Sequence, residues 1–387
     1  MQLIEVNTPA LARDFILMPL ELYKNDPNWI RPLDQDIEAV FDPKNNKNFR
    51  HGEAIRWLMK NEKGNYIGRV AAFFNRKIIN SDGMKVGGMG FFECINDRQA
   101  AFILFDKCQE WLTERDIEAM DGPINFGERD RFWGCLAEGF TPPVYGMNYN
   151  PPYYNDLFQS YGFQLYFKQL CYSLKVYDPV DQKIIDRAAI IAADKNFRSE
   201  YVRKNNLKKY AADISIVYNK AWSKHDTGIQ SFTPEVVLRM LNKMKPVMDE
   251  KLMWLVYYKD EPVAFWLNLP ELNFIFRKFN GKLNWWNKLR FIYMLKTGQC
   301  TKFIGILFGV VPEFQGKGVD SFIIMEGAKT IRGDLNYEVF EMMWIGDFNP
   351  KMMRVAESLG TYISRVLHTY RKIFDPAKPF KRYKVLD

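Results

Sequence analysis

The chain lays out the same order of elements twice, and that order restricts the fold more than any other feature of the sequence. In the first half, Thr8-Pro9 reads as a helix N-cap followed by proline at N1, opening a helix to about Tyr23. A hairpin follows, with strands at 53–59 and 66–74 around a turn holding Gly64. Next come a glycine- and aromatic-rich strand at 88–95 and an amphipathic helix at 98–115. That helix carries Ala101, Leu104, Phe105, Cys108, Trp111 and Leu112 at helical spacing. A strand near 117–120, a short helix at 153–161 and a strand at 164–168 close this half. The second half repeats the order: a capped helix from Thr233-Pro234, a hairpin at 252–258 and 263–269, and a long apolar strand at 303–311. A helix at 319–332, a strand at 338–345, a short helix at 350–359 and a strand near 362–370 follow. Hairpin, then strand–helix–strand–helix–strand, predicts a mixed sheet flanked by helices. The fold class expected is α/β of the α+β mixed-sheet kind, as two domains in tandem, 1–175 and 176–387. The boundary falls near 172–195, where DPVDQ reads as a break.

Composition narrows the chemistry. Five cysteines without a C-x-x-C pair argue against structural disulfides and a zinc site. Three histidines, His51, His225 and His368, are too few for a chain running metal-ligand chemistry, so no metal is expected. The most apolar stretch, Phe303–Val311, is strand-sized, well short of the ~18–20 residues a spanning helix requires. The N-terminus lacks a basic region followed by an apolar one, so it does not read as a secretory signal. The expectation is a soluble, cytoplasmic protein.

Charge is divided unevenly. Residues 1–175 hold 20 Lys and Arg against 23 Asp and Glu, whereas the remainder holds 34 against 23. A basic second half beside a mildly acidic first half points to an anionic ligand for the second. The sharpest local signal lies there, in GVVPEFQGKGVDS at 309–321. An apolar strand, a glycine turn and a helix in succession aim backbone N–H groups outward at a helix N-terminus, where the macrodipole favours negative charge. Gly316 and Gly318 admit close approach of a phosphate, and Lys317 adds a cation. The stretch is neither a Walker loop nor a G-x-G-x-x-G turn. A plain tight turn before a helix is the other reading of these residues.

These residues resemble the GNAT superfamily of acyl-CoA N-acyltransferases. In its motif V-x-P-x-x-[QR]-x-x-G-x-[GA], Val310, Pro312, Gln315 and Gly318 match, and Asp320 stands where the family has Gly or Ala. Asn349, followed by a helix ending in Leu359-Gly360, matches a second family motif. The likeness covers about 210–387. The first half shares the element order, with SYGF at 160–163 echoing ESLG at 357–360, but reads ECINDRQAA where a glycine loop belongs. The resemblance implies a tandem GNAT protein with its cofactor site in the second domain and a degenerate first domain contributing to the acceptor site. It implies an acyl-CoA, most simply acetyl-CoA, bound by Phe308, Gly309, Val310 and Val311 along the strand. Gln315, Gly316, Lys317, Gly318, Val319 and Asp320 in the loop, and Asn349, complete that set. The implied reaction is direct attack of an amine on the thioester, giving an N-acetyltransferase. Aminoacyl or longer-chain acyl transfer, and a non-catalytic CoA- or anion-binding protein, remain alternatives. The family's thiol-protonating tyrosine falls at Ala356, leaving Tyr370 or Tyr362 as substitutes.

Glu341, on the strand EVFEMMWI beside the implied thioester, is the candidate base. Desolvation would raise its pKa towards neutrality, unless a neighbouring Arg or Lys satisfies its charge. Two polar-aromatic loops, 121–134 and 142–154, offer Glu128, Arg129, Asp130, Tyr145 and Tyr149 as acceptor-site candidates, with Glu128 and Asp130 as further bases. The same loops also read as rigid connections held by Arg–carboxylate pairs. Residues 195–209 carry six Lys and Arg and read as a solvated surface. Residues 272–300 carry six Lys and Arg, no acids and seven aromatics. Three readings compete there: a packed helical insertion, a surface for acidic substrates or nucleic acid, and a membrane-interface helix. The partner expected is a small-molecule or peptide amine. Nucleic acid is not expected, a membrane surface is open through 272–300, and either a monomer or a homodimer fits.

Overall fold

A computed structural model of the chain describes residues 1–77, 83–222 and 232–386. The first half runs β1 (Gln2–Glu5), α1 (Pro9–Leu17), α2 (Pro19–Leu22), α3 (Asp34–Phe41), β2 (Gly52–Lys60), β3 (Tyr66–Asn75) and β4 (Val86–Cys94). It continues with α4 (Arg98–Thr113), β5 (Ala119–Gly122), β6 (Cys135–Glu138), α5 (Tyr154–Tyr161) and β7 (Gln164–Lys175). The second half opens with α6 (Gln182–Ala193), β8 (Phe197–Tyr201), α7 (Leu207–Trp222), α8 (Pro234–Met244), β9 (Met253–Tyr258) and β10 (Glu261–Pro270). Then follow α9 (Asn273–Phe276), α10 (Trp285–Lys296), β11 (Lys302–Val310), α11 (Val319–Asp334), β12 (Val339–Met342), β13 (Ile345–Gly346), α12 (Pro350–Ser358) and β14 (Tyr362–Ile373).

Local chemistry accounts for the helix starts. Thr8 and Thr233 accept from the backbone N–H three residues on, at 3.2 and 3.4 Å, each ahead of a proline whose missing donor costs nothing at N1. The helix expected over 8–23 is broken at Met18, because Pro19 starts a second short helix. Asp97 caps α4 through the Ala100 N–H at 3.0 Å. The basic run at 195–209 holds β8 and the start of α7, with Arg198 paired to the exposed Asp260 at 3.2 Å.

The described strands form one mixed sheet of 14 strands, ordered β1-β2-β3-β4-β5-β14-β7-β12-β11-β10-β9-β8, with β6 beside β14 and β13 beside β7. The final strand of each half lies against strands of the other. β7 pairs antiparallel with β12, and β14 pairs antiparallel with β5. The two exchanged strands, each 12 residues long, pair with each other from Tyr362 opposite Ser173 to Arg371 opposite Gln164. They stitch the halves into a continuous surface. The cores reflect the exchange: Tyr370 belongs to the first half's core with Phe158 and Leu157, and Cys171 to the second half's core with Leu255 and Phe265. All five cysteines are free and buried.

Candidate acyl-transfer cavity and its glycine loop

β11 positions the site. On one side it pairs with β10 as far as Val310, but on the other its parallel pairing with β12 stops at Gly305 opposite Met342. The Met343 N–H still reaches the Gly305 carbonyl at 3.1 Å, and beyond it the chain turns away into β13 to join β7. Ile306 to Val310 therefore keep one backbone edge without a strand partner among the described residues. The gap opens into a cavity of about 1310 Å³, above the ~300–1,000 Å³ usual for small-molecule sites.

Its lining is mostly apolar. Leu307, Phe308, Phe303, Trp266, Met342, Met343, Trp344 and Phe348 supply much of the wall. Tyr383 and Leu386, from the chain after β14, also line it; the Leu386 N–H donates to the Phe348 carbonyl at 2.7 Å. The polar lining comes from Asn48, Asn75, Glu128, Arg129 and Asp130 of the first half and from Asn349 and Arg332 of the second. Arg332 is committed to the Val176 and Asp178 carbonyls, at 2.6 and 2.7 Å.

At the end of β11 the loop is built as its residue types require. Gln315 turns back and donates its Nε2 to the Val310 carbonyl at 2.9 Å. Gly316 and Gly318 adopt left-handed φ values of 72° and 93°, which a Cβ would disfavour. Gly318 stands at the N-cap of α11 and offers no side-chain cap. The first N–H groups of a helix lack intrahelical acceptors, so this end presents uncapped donors beside the exposed Lys317. Val319 is buried beneath the loop, and Asp320 is a partly exposed first-turn acid.

The expected residues fall into three sets, and the first, Gln315 to Asp320, forms the loop just described and is not among the cavity's lining residues. Phe308, Asn349, Glu128, Arg129 and Asp130 meet in the cavity wall, bringing both halves to one space. Gly309 backs onto Phe265, while Val310 and Val311 enter the core at the strand's end. Asn349 caps α12 through the Met352 N–H at 3.2 Å. Ala356, on the same helix, is buried and lines the cavity.

Glu341, Tyr370, Tyr145 and Tyr149 are placed otherwise. Glu341 does not line the cavity, although its neighbours Phe340 and Met342 do. Its side chain is 2% exposed, joined to Arg365 at 2.8 Å and to Lys302. Burial alone pushes its carboxyl upward, but Arg365 and then Lys302 outweigh that and hold it below the usual carboxylate range. The rise expected from desolvation is thus reversed by two cations that the local sequence does not reveal. Tyr370 packs on Phe158 and donates to Asn155 Oδ1 at 2.8 Å. Tyr145 donates to Asp36 at 2.7 Å and Tyr149 to Asp26 at 2.8 Å. Burial first, and these acids next in Tyr149, push both phenols up; for Tyr145 the nearby Arg131 opposes the rise. Both tyrosines brace loops outside the cavity wall.

Asn48, Asn75 and the run Met342–Trp344 were missed as site residues. Asn75 donates to Asn48 at 2.7 Å across the β2–β3 hairpin's end. Only the Met-Met-Trp run carried a signal, as a bulky apolar break in a strand pattern. No group of His, Cys, Asp and Glu among the described residues is placed to hold a metal, and His225 lies outside them.

No family model matches the chain. It is 26% identical over 385 residues to the bacterial ceramide synthase of Caulobacter vibrioides, spanning 96% of this chain and 97% of that protein. It is 24% identical over 384 residues to protein YghO of Escherichia coli, spanning 96% and 91%. Among solved structures, a tandem GNAT protein from the clavulanic acid biosynthesis pathway superposes with a TM-score of 0.55 at 10% identity, covering 97% of this chain and 99% of that one. The chain has a tandem GNAT-like fold.

Proposed function

We propose that the protein is an acyl-CoA-dependent N-acyltransferase that moves a long acyl chain to the amine of a lipophilic acceptor. The observation that carries this reading is the apolar cavity opening off the unpaired edge of β11. A two-carbon acyl group leaves most of such a space unused, whereas each buried methylene contributes up to ~0.8 kcal/mol. The Caulobacter relative carries the name of ceramide synthase, a reaction that joins a fatty acyl group to a long-chain amine. Acetyl transfer, the simplest expectation from the motif, fits this volume less well.

The residues present suit a CoA thioester, which supplies the activated acyl group. The uncapped amides before α11 and Lys317 would hold the pyrophosphate, and the free backbone edge of Ile306 to Phe308 would receive the pantetheine amides. Ala356 leaves room where a tyrosine would narrow the cavity. The acceptor must reach the thioester as a neutral amine. Glu128 and Asp130, exposed at the cavity wall, are the carboxylates able to take the ammonium proton. As the new C–N bond forms and the C–S bond breaks, the nitrogen gives up a second proton and the leaving thiolate sulfur takes one up.

The test is a chain-length series. CoA thioesters from two to eighteen carbons are offered with a long-chain primary amine, and thiol release and amide product are measured. Specificity should rise steeply with chain length and then level when the cavity is filled. Equal turnover of acetyl-CoA and palmitoyl-CoA would overturn the assignment to long acyl chains, and no binding of either would overturn the CoA reading altogether.

A further inference from the structure

Helix α10 is apolar on two opposite sides. Phe291 and Met294 fasten it to the body, in a small cluster with Leu33, Leu272, Ile275, Phe276 and Phe279. This places 272–300 as a packed insertion, as one of the three sequence readings had it. A helix anchored in this way ordinarily turns a polar face to water. Here Trp285, Trp286, Leu289, Ile292 and Tyr293 are between 46% and 68% exposed. At 100° per residue, Trp285, Leu289, Ile292 and Tyr293 cluster around the direction opposite the Phe291–Met294 anchor. Exposed single apolar residues are ordinary, but five on 12 residues form a contiguous patch.

The charges within this segment have one sign. Lys282, Lys288, Arg290 and Lys296 flank it, all exposed, and no acid occurs from 272 to 300. We propose that this face of α10 docks on an anionic phospholipid bilayer, lying in the plane of the interface with its Trp, Leu and Ile side chains at the headgroup–acyl boundary. Two observations select this occupant. Like charges rimming the patch would repel a second copy meeting it face to face. Trp285, Trp286 and Tyr293 suit a nucleobase or a lipid headgroup equally, but Leu289 and Ile292, aliphatic and central, offer no π-face and suit acyl chains. At 12 residues α10 is shorter than the ~20 a spanning helix needs, so the proposed attachment is to one leaflet. α10 contributes nothing to the cavity wall, and the inference stands independently of the acyl-transfer reading.

Vesicle flotation of the full chain tests it without any turnover measurement. Phosphatidylcholine vesicles are compared with vesicles containing about 30 mol % phosphatidylglycerol, whose surface potential should recruit the basic rim. The parent should float with the anionic vesicles, with a blue shift of tryptophan emission. The pair Leu289→Glu with Ile292→Glu should lower partitioning at least about tenfold, and Lys288→Gln about fivefold. Circular dichroism and thermal unfolding identify variants that retain the fold; Trp285→Ala with Trp286→Ala provides a second, milder pair. Failure of the folded parent to float, equal flotation of parent and both variant pairs, or an oligonucleotide displacing the protein from vesicles would each overturn the proposal. So would loss of self-association in the variants without loss of lipid binding.

Discussion

Replacing Glu341 with glutamine separates a structural carboxylate from a catalytic one. The sequence makes Glu341 a natural base, yet the fold sets it between Arg365 and Lys302, away from the cavity wall. Arg365 is 1% exposed and its remaining donors reach only Thr141 Oγ1 at 3.2 Å and the Thr141 and Pro142 carbonyls at 3.4 and 3.1 Å. Neutralising its carboxylate partner strands a guanidinium in the interior, whereas Lys302 is partly exposed and can turn to water. Breaking a buried pair from one side costs ~3–5 kcal/mol, and the amide oxygen retained by glutamine puts the loss near the lower end. About 3 kcal/mol is ~2 orders of magnitude in the unfolding equilibrium. Urea denaturation at pH 7 should show this loss, with thiol release per folded molecule nearly unchanged. The pH dependence has a definite sign. The native carboxyl is held below its ordinary value, so its contribution is complete above the unfolded pKa of ~4.3 and fades as pH falls through the native value. The deficit of the variant should therefore shrink in acid. Unaltered stability together with a hundredfold loss of turnover would refute this reasoning and restore Glu341 as the base.

Three further outcomes follow from the same structure. Ala356→Phe projects a ring into the cavity and should lower transfer of sixteen-carbon chains more than about tenfold, while two- to six-carbon chains change less than about twofold. Equal losses for all lengths would place Ala356 outside the acyl path. Lys317→Glu, on the exposed loop, should raise the Kd for CoA several-fold in calorimetric titration, most strongly at low salt, with no change in melting temperature. His368 has a buried Nε2 without a hydrogen-bond partner among the described residues, and burial first, then Lys168, pushes its pKa down to about 4. It folds as the neutral imidazole, so stability should fall as pH drops from ~6.5 towards about 4. His368→Gln should flatten the denaturation midpoint across that window, and an unchanged pH profile would exclude His368 as its source.

What could be read in advance, and what could not, divides along the range of the interactions. The threonine caps, the hairpins, the left-handed glycines and the strand–loop–helix at 302–334 are decided within a few residues, and the sequence displays them. The exchange of β7 and β14 is decided by pairing across about two hundred positions, and both strands read merely as final strands of their own halves. That exchange carries most of the chemistry that went unseen. It brings Arg365, on β14, to Glu341 on β12 and so turns an expected base into an ion pair. It also buries Tyr370, offered as a substitute for the tyrosine missing at Ala356, against Phe158 in the first half's core. The cavity is legible only in retrospect for a related reason. Its walls require β11 and β12 to part after Gly305 and Met342, and Glu128, Arg129 and Asp130 of the other half to join the lining. The apolar residues there are indistinguishable, in sequence, from residues that fill a core. A Met-Met-Trp run where a strand should continue is the one local trace of that parting. Space between strands, rather than any single side chain, is what the proposal of long-chain transfer rests on.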